Sequence, residues 1–180
     1  MELDISKMDL KELIRTVPHF PKEGIMFRDI TTLLKDEKGL STALDELCNL
    51  AKNKKITKVV GIESRGFILG GALAVRLGAG FVPIRKPGKL PAETIAETYS
   101  LEYGTDKIEI HKDAIQPGDL VLLHDDLLAT GGTMEAACKL VEKLGAQVVQ
   151  ISFLIELSFL NGREKLKEYD IHALVNYDSE

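Results

Sequence analysis

The run Val121 to Thr133, VLLHDDLLATGGT, sets two adjacent carboxylates, Asp125 and Asp126, just ahead of Thr130-Gly131-Gly132-Thr133. The acids follow an unbroken apolar stretch from Leu120 to Leu123, which reads as a parallel strand covered on both faces. In open α/β sheets ligands lie beyond the carboxyl ends of the strands, and carboxylates there can accept hydrogen bonds from a vicinal diol. After the glycines the pattern turns helical: Ala136, Leu140 and Leu144, with Ala137 and Val141 beside them, make a stripe that stops at Gly145. The first N–H groups of such a helix lack internal partners and sit at the positive end of its dipole, so they suit a phosphate. Gly131 and Gly132 let an anion approach with no Cβ in the way, and Thr130 and Thr133 can add hydroxyl donors. Each half alone could be an ordinary strand end or turn; joined, they describe a site for a sugar phosphate. The chain has neither a GxGxxG after a strand nor a GxxxxGK[ST], so the common dinucleotide and triphosphate loops are excluded.

A second corner of the same kind lies at Gly61-Ile62-Glu63-Ser64-Arg65-Gly66, between a strand predicted over Lys58 to Ile62 and a buried helix over Phe67 to Leu77. Arg65 offers a permanent charge able to hold phosphate oxygens in bidentate fashion, and Gly66 permits a tight turn. Read alone, the segment is equally a helix capped by Ser64 with an arginine on the surface. Two such corners in one sheet could hold a molecule with a phosphate at one end and a pyrophosphate at the other. Arg85, Lys86 and Lys89 follow a strand over Phe81 to Ile84, on the side where both corners open. For Lys89 a plain solvated charge is the other open reading.

The elements that position these residues alternate between helical periods and short apolar runs, the arrangement of βαβ units. The fold class is therefore α/β, a mostly parallel central sheet flanked by helices. Leu10 to Val17 reads as a short amphipathic helix, and Leu40, Ala43, Leu44, Leu47, Cys48 and Ala51 mark a second. Leu120 to His124, Val148 to Ile155 and Ile171 to Tyr177 complete the strands. Lys86 to Ser100, with two prolines, a glycine and little apolar content, reads as a mobile loop. At 180 residues, with 44% hydrophobic and 28% charged residues, the chain is expected to form a single domain over 1–180. A net charge of -5 argues against nucleic acid as a bulk partner, and a polyanionic substrate must be met by a local cluster of cations. Cys48 and Cys138 lie on helical stripes and read as small core residues in a reducing compartment. The opening MELDISKMDLKELIRTV carries acids early and no long apolar stretch, so neither a secretory signal nor a membrane span is expected and the location reads as cytoplasmic.

DDLLATGGT resembles the phosphoribosyl pyrophosphate motif of the type I phosphoribosyltransferases, and GIESRGFILG resembles that family's pyrophosphate loop. The similarity runs from Val17 to about Tyr177, through YSLEYGTDKIEIHKDAIQPGD and IELSFLNGREKL. It implies the type I phosphoribosyltransferase fold, with a small N-terminal hood contributed by about residues 1–34. It also implies a purine-salvage transfer: adenine and 5-phosphoribosyl 1-pyrophosphate give AMP and pyrophosphate, with magnesium held mainly by the substrate and no direct protein ligand. On this resemblance Asp125, Asp126, Ala129, Thr130, Gly131, Gly132 and Thr133 bind the phosphoribosyl group. Ser64, Arg65, Arg85, Lys86 and Lys89 bind pyrophosphate, with Arg65 and Lys86 neutralising its growing charge and one of Arg85 and Lys86 reaching across a homodimer interface.

FPKEGIMFRDI, a loop that turns apolar, resembles the family's hood over the base; main-chain groups near Met26 and Arg28 would pair with adenine and Phe27 would stack on it. From the residues alone Phe27 is a core aromatic. Glu102, before Tyr103-Gly104, matches the acidic residue credited with handling the proton of the base, and Tyr103 would steady the closing loop. One departure is His124, where the family usually has an aliphatic residue. Buried and neutral, it needs a hydrogen-bond partner; facing the crevice, it would perturb the aspartates. His19, His111 and His172 are scattered without metal-ligand spacing. The alternatives are the same transfer to xanthine or hypoxanthine, decided in the hood, and a non-catalytic sensor of phosphoribosyl pyrophosphate. A sensor would need a DNA-binding segment, for which the residues before Phe20 are too few and too acidic.

Overall fold

In the computed structural model, which describes residues 8–100 and 104–180, the chain enters through a 3-10 turn at Leu10–Leu13. Strands β1 (Arg15–Pro18) and β2 (Met26–Asp29) and helices α1 (Thr31–Leu34) and α2 (Glu37–Ala51) follow. Next come β3 (Lys58–Ile62), α3 (Gly66–Leu77), β4 (Gly80–Ile84), β5 (Thr94–Ser100) and β6 (Thr105–His111). The rest comprises β7 (Leu120–Leu128), α4 (Gly132–Lys143), β8 (Gln147–Leu157), 3-10 turns at Ser158–Leu160 and Gly162–Leu166, and β9 (Ile171–Tyr177).

Five strands form one parallel sheet in the order β4-β3-β7-β8-β9, while β1–β2 and β5–β6 are separate antiparallel pairs. The apolar runs of the central strands divide by alternation between two cores, because successive side chains point to opposite faces. Val60, Val121 and Leu123 pack with Ala137, Leu140 and Val141 of α4 and with Ile108 and Ile110 of β6. Val59 and Leu122 pack on the other face with Leu47 of α2 and Leu69 and Leu73 of α3. A sheet covered on both sides in this way needs strands apolar throughout, which is why Leu120 to Leu123 does not alternate.

Several local expectations change. Leu10 to Val17 is not a helix: it is a 3-10 turn whose Leu10 enters the core, followed by β1, in which Thr16 and Val17 pair with Arg28 and Phe27. The β-branched residues meet a partner strand, and that pairing overrides the helical spacing. For the same reason the second half of Phe20 to Ile30 is strand β2 rather than loop. The proposed loop from Lys86 ends at Thr94, where β5 begins a hairpin with β6, and Tyr99 is drawn into the core beneath it. Helix α3 is buried on one side only; Ile68 is 50% and Val75 82% exposed on its outer face. Strand β7 runs on through the acidic pair to Leu128, so both aspartates are held by sheet geometry.

Candidate active site

Strand β7 delivers the acidic pair to the C-terminal edge of the sheet. Asp126 is buried, at 4% exposure, with Oδ2 3.0 Å from Nε of Arg65; Oδ1 of Asp125 accepts the N–H of Asp126 at 2.8 Å. Burial, and after it the charge of Asp126, pushes the Asp125 carboxyl well above its usual range; burial raises Asp126 too, against the pull of Arg65. Two crowded carboxylates resist double ionisation, and a diol donating to them favours the ionised form. Just beyond, Gly131 takes the left-handed conformation at the N-terminus of α4, with φ 82°. A Cβ on Gly131 would stand 2.5 Å from the carbonyl oxygen of Gly162, and one on Gly162 would stand 2.3 Å from that of Ala129. The two glycines therefore let the C-terminal turn brace the loop. Thr130 to Thr133 line a cavity of about 90 Å³ that reaches Asp125.

The second corner touches the first. A Cβ on Gly66 would lie 2.9 Å from Oδ1 of Asp125 and 3.0 Å from the carbonyl oxygen of His124, so only glycine allows α3 to start here. Ser64 does not cap the helix; Arg65 occupies the cap position, and no side chain closes that end. Glu63 organises the cations. Its Oε1 accepts from Nη2 of Arg85 at 2.8 Å and from Nζ of Lys89 at 3.3 Å, and its Oε2 accepts the Lys86 N–H at 3.1 Å. The hydrogen bond from Arg85, outweighing burial, holds the Glu63 carboxyl down to about 2. The Lys86 ammonium pairs with Asp106 and donates to the Tyr99 hydroxyl at 2.9 Å. Glu63 to Lys86 and the acidic pair enclose about 200 Å³.

On the far side of Arg65 a cleft of about 370 Å³ opens under the β1–β2 hairpin, walled by Val17, Phe20 and Phe27. Phe27 is half-buried, packed edge-on against Phe20 with centroids 5.1 Å apart, and the Arg65 guanidinium sits 5.2 Å from its centroid. Asp29 closes one end and is fully engaged: Oδ2 accepts from Nε of Arg15 at 3.0 Å, and Oδ1 from the N–H and hydroxyl of Thr31. The Thr31 hydroxyl first, then Arg15, hold its carboxyl down to about 2.

The structure thus gathers Ser64, Arg65, Arg85 and Lys86 around the acidic pair, sets Lys89 beside them through Glu63, and places Phe27 on the adjoining cleft. Met26 lies in β2, half-buried, and the Arg28 side chain points away from the cleft onto Tyr177. Glu102 and Tyr103 lie outside the described residues. His124 is fully buried on the α3 side, its Nδ1 2.9 Å from the Ser152 hydroxyl oxygen; burial pulls its pKa down to about 4, so it is neutral. Sequence reading missed Glu63, Tyr99, Asp106 and Gly162. Glu63 stood inside a quoted motif, but its partners arrive from another strand, and only the alternation of Ile108 and Ile110 hinted at the hairpin that carries Asp106. Among the described residues no group of three or more His, Cys, Asp or Glu is placed to hold a metal.

The sequence profile of the phosphoribosyl transferase domain matches residues 29–176. The adenine phosphoribosyltransferase of Acidobacterium capsulatum is 58% identical over 168 residues, 93% of each chain. The crystal structure of adenine phosphoribosyltransferase from Thermoanaerobacter pseudethanolicus superposes with a TM-score of 0.91 at 54% identity, covering 93% of this chain and 98% of that one. The Giardia lamblia enzyme complexed with 9-deazaadenine gives a TM-score of 0.91 at 43% identity, over 97% and 99% of the two chains.

Proposed function

The chain belongs to the phosphoribosyltransferase family, and from that premise we infer that it is a purine-salvage enzyme converting adenine and 5-phosphoribosyl 1-pyrophosphate to AMP and pyrophosphate. One observation carries the reading. Asp125 lines both the loop cavity and the cation cavity, and Arg65 lines both the cation cavity and the aromatic cleft. The three compartments therefore adjoin: 5-phosphate at Thr130 to Thr133 and ribose diol at Asp125 and Asp126, with pyrophosphate at Arg65, Arg85 and Lys86 and base against Phe27 flanking the anomeric carbon.

In the reaction a ring nitrogen of adenine bonds to the anomeric carbon as its bond to the pyrophosphate oxygen breaks, so negative charge grows on the leaving group. The site's cations pair with its own acids: Arg65 with Asp126, Arg85 with Glu63, Lys86 with Asp106. A pyrophosphate competes for them, and Asp126, relieved of Arg65, is then free to accept from the diol. Positioning and a preset field supply the acceleration. Glu102 is our candidate for handling the base's proton.

Magnesium fits as a passenger of the donor. It would be held mainly by the substrate's own phosphate oxygens, with no carboxylate of the protein required as a direct ligand. When bound it would neutralise pyrophosphate charge. We also propose that residues 1–180 act as one domain with β1–β2 as its hood, and that the protein is a homodimer through the exposed apolar residues Ile68 and Val75 on the outer face of α3 and Phe81 of edge strand β4. Free thiols at Cys48 and Cys138 suit a cytoplasmic location.

The test is turnover with 5-phosphoribosyl 1-pyrophosphate and magnesium, offering adenine, hypoxanthine, guanine and xanthine separately. Adenine alone should react. Turnover only with an oxopurine would overturn the base assignment, and loss of activity in EDTA, restored by magnesium, is the expected metal response.

A further inference from the structure

Strand β2 has two sides. Phe27 faces the base cleft, while Arg28, next in the chain, turns the other way and is buried at 8% exposure. Its guanidinium carbon lies 4.0 Å from the centroid of the Tyr177 ring, and Nη1 donates to the Thr16 hydroxyl at 2.6 Å. Buried Nε of Arg28 has no hydrogen-bond partner among the described residues. The aromatic face is thus a principal compensation for this buried charge, the setting in which a cation over a ring counts most. Tyr177 is itself 8% exposed and is the last residue of β9, the edge strand of the central sheet. A second cation reaches the same ring: Nζ of Lys11 lies 4.4 Å from its centroid and donates to the Asn176 carbonyl at 2.8 Å.

The β1–β2 pair shares no backbone ladder with the central sheet. Its position relative to that sheet is set by the chain's direct run into α1 and by side chains, and two of the N-terminal elements, the first turn and β2, grip one tyrosine. We propose that Tyr177 is a positioning residue for the base: through Arg28 it sets where β2, and so Phe27 and the main chain of Met26 and Arg28, stands relative to the strands carrying Asp125 and Arg65. The proposal rests on the reading that adenine binds under β1–β2. Tyr177 touches no substrate and acts on one substrate only, because the donor compartments are lined from β3, β4, the β5–β6 hairpin, β7, β8 and the loop into α4, and by no residue of β1, β2 or β9.

The test compares Tyr177→Leu with Tyr177→Phe, which keeps the ring. Adenine KM should rise roughly five- to thirty-fold in the leucine variant, the loss expected of a desolvated cation–ring contact. Donor affinity by calorimetry and kcat at saturating adenine should stay within about twofold, and the phenylalanine variant should behave as the parent. Amide hydrogen exchange adds a readout independent of turnover: β2 should lose protection in Tyr177→Leu but not in Tyr177→Phe. Unchanged adenine KM and unchanged β2 protection in the leucine variant would overturn the proposal, as would parallel loss of KM, kcat and donor affinity. If Tyr177→Leu fails to fold, Arg28→Lys keeps the charge and removes the flat stack, and should show the same KM-only effect in smaller degree. Absence of adenine turnover in the parent would count against the base assignment, while exchange at β2 judges the clasp in either case.

Discussion

At the residue scale the acidic pair is a cost carried for binding. The Asp125 carboxyl titrates above its unfolded value, so its contribution to stability is full below the ordinary aspartate range and is lost as pH rises through the folded value. Asp125→Asn should therefore melt higher than the parent at pH 8, by roughly 2–4 °C per kcal/mol relieved. The gap should close in acid, while donor affinity falls about tenfold or more. A variant less stable at pH 8 would remove the account. His124 carries the opposite dependence on pH. Its folded pKa, about 4 against an ordinary 6.5, favours folding above that ordinary value and withdraws the support as pH falls through about 4. Replacing His124 by Leu together with Ser152 by Ala should flatten the melting temperature between these limits, and an unchanged slope would show that the imidazole is not the sensor.

At the element scale the loop between β7 and α4 is shaped as much by the C-terminal turn as by its own glycines. Gly162→Ala drives a Cβ against the Ala129 carbonyl and should cost about 1–3 kcal/mol, with a raised KM for the donor. Gly78→Ala is the control. That glycine, unlike Gly162, has a positive φ, but a Cβ would meet nothing within 4 Å, so stability alone should fall, by about 1 kcal/mol. Equal donor KM in the two variants would mean that the brace does not shape the phosphate loop. Elements defined by local pattern were readable: the strand Lys58–Ile62, the helix through Leu40 to Ala51 and the strand Ile171–Tyr177. Those defined by pairing were not. Strand β1 exists because β2 lies beside it, and β5 because β6 does.

At the scale of the whole molecule the exposed apolar face of α3 and β4 is the surface our dimer proposal uses. Val75→Asp should shift the protein to monomers in light scattering with the fold intact, since Val75 is almost wholly exposed in the single chain; a dimer unaffected by it would place the interface elsewhere. The sequence by itself determined the α/β class, the two strand-to-helix corners and the residues most able to meet a sugar phosphate, because apolar periodicity, glycines and adjacent charges act over a few neighbouring residues. Only the tertiary structure decided that Glu63 and Asp106 hold the cations, that Gly162 braces Gly131, that His124 faces Ser152 and that Arg28 turns from the cleft onto Tyr177. Each of these contacts joins segments separated along the chain, and its partner is chosen by strand order and by which face of the sheet a side chain occupies, neither of which a local pattern encodes.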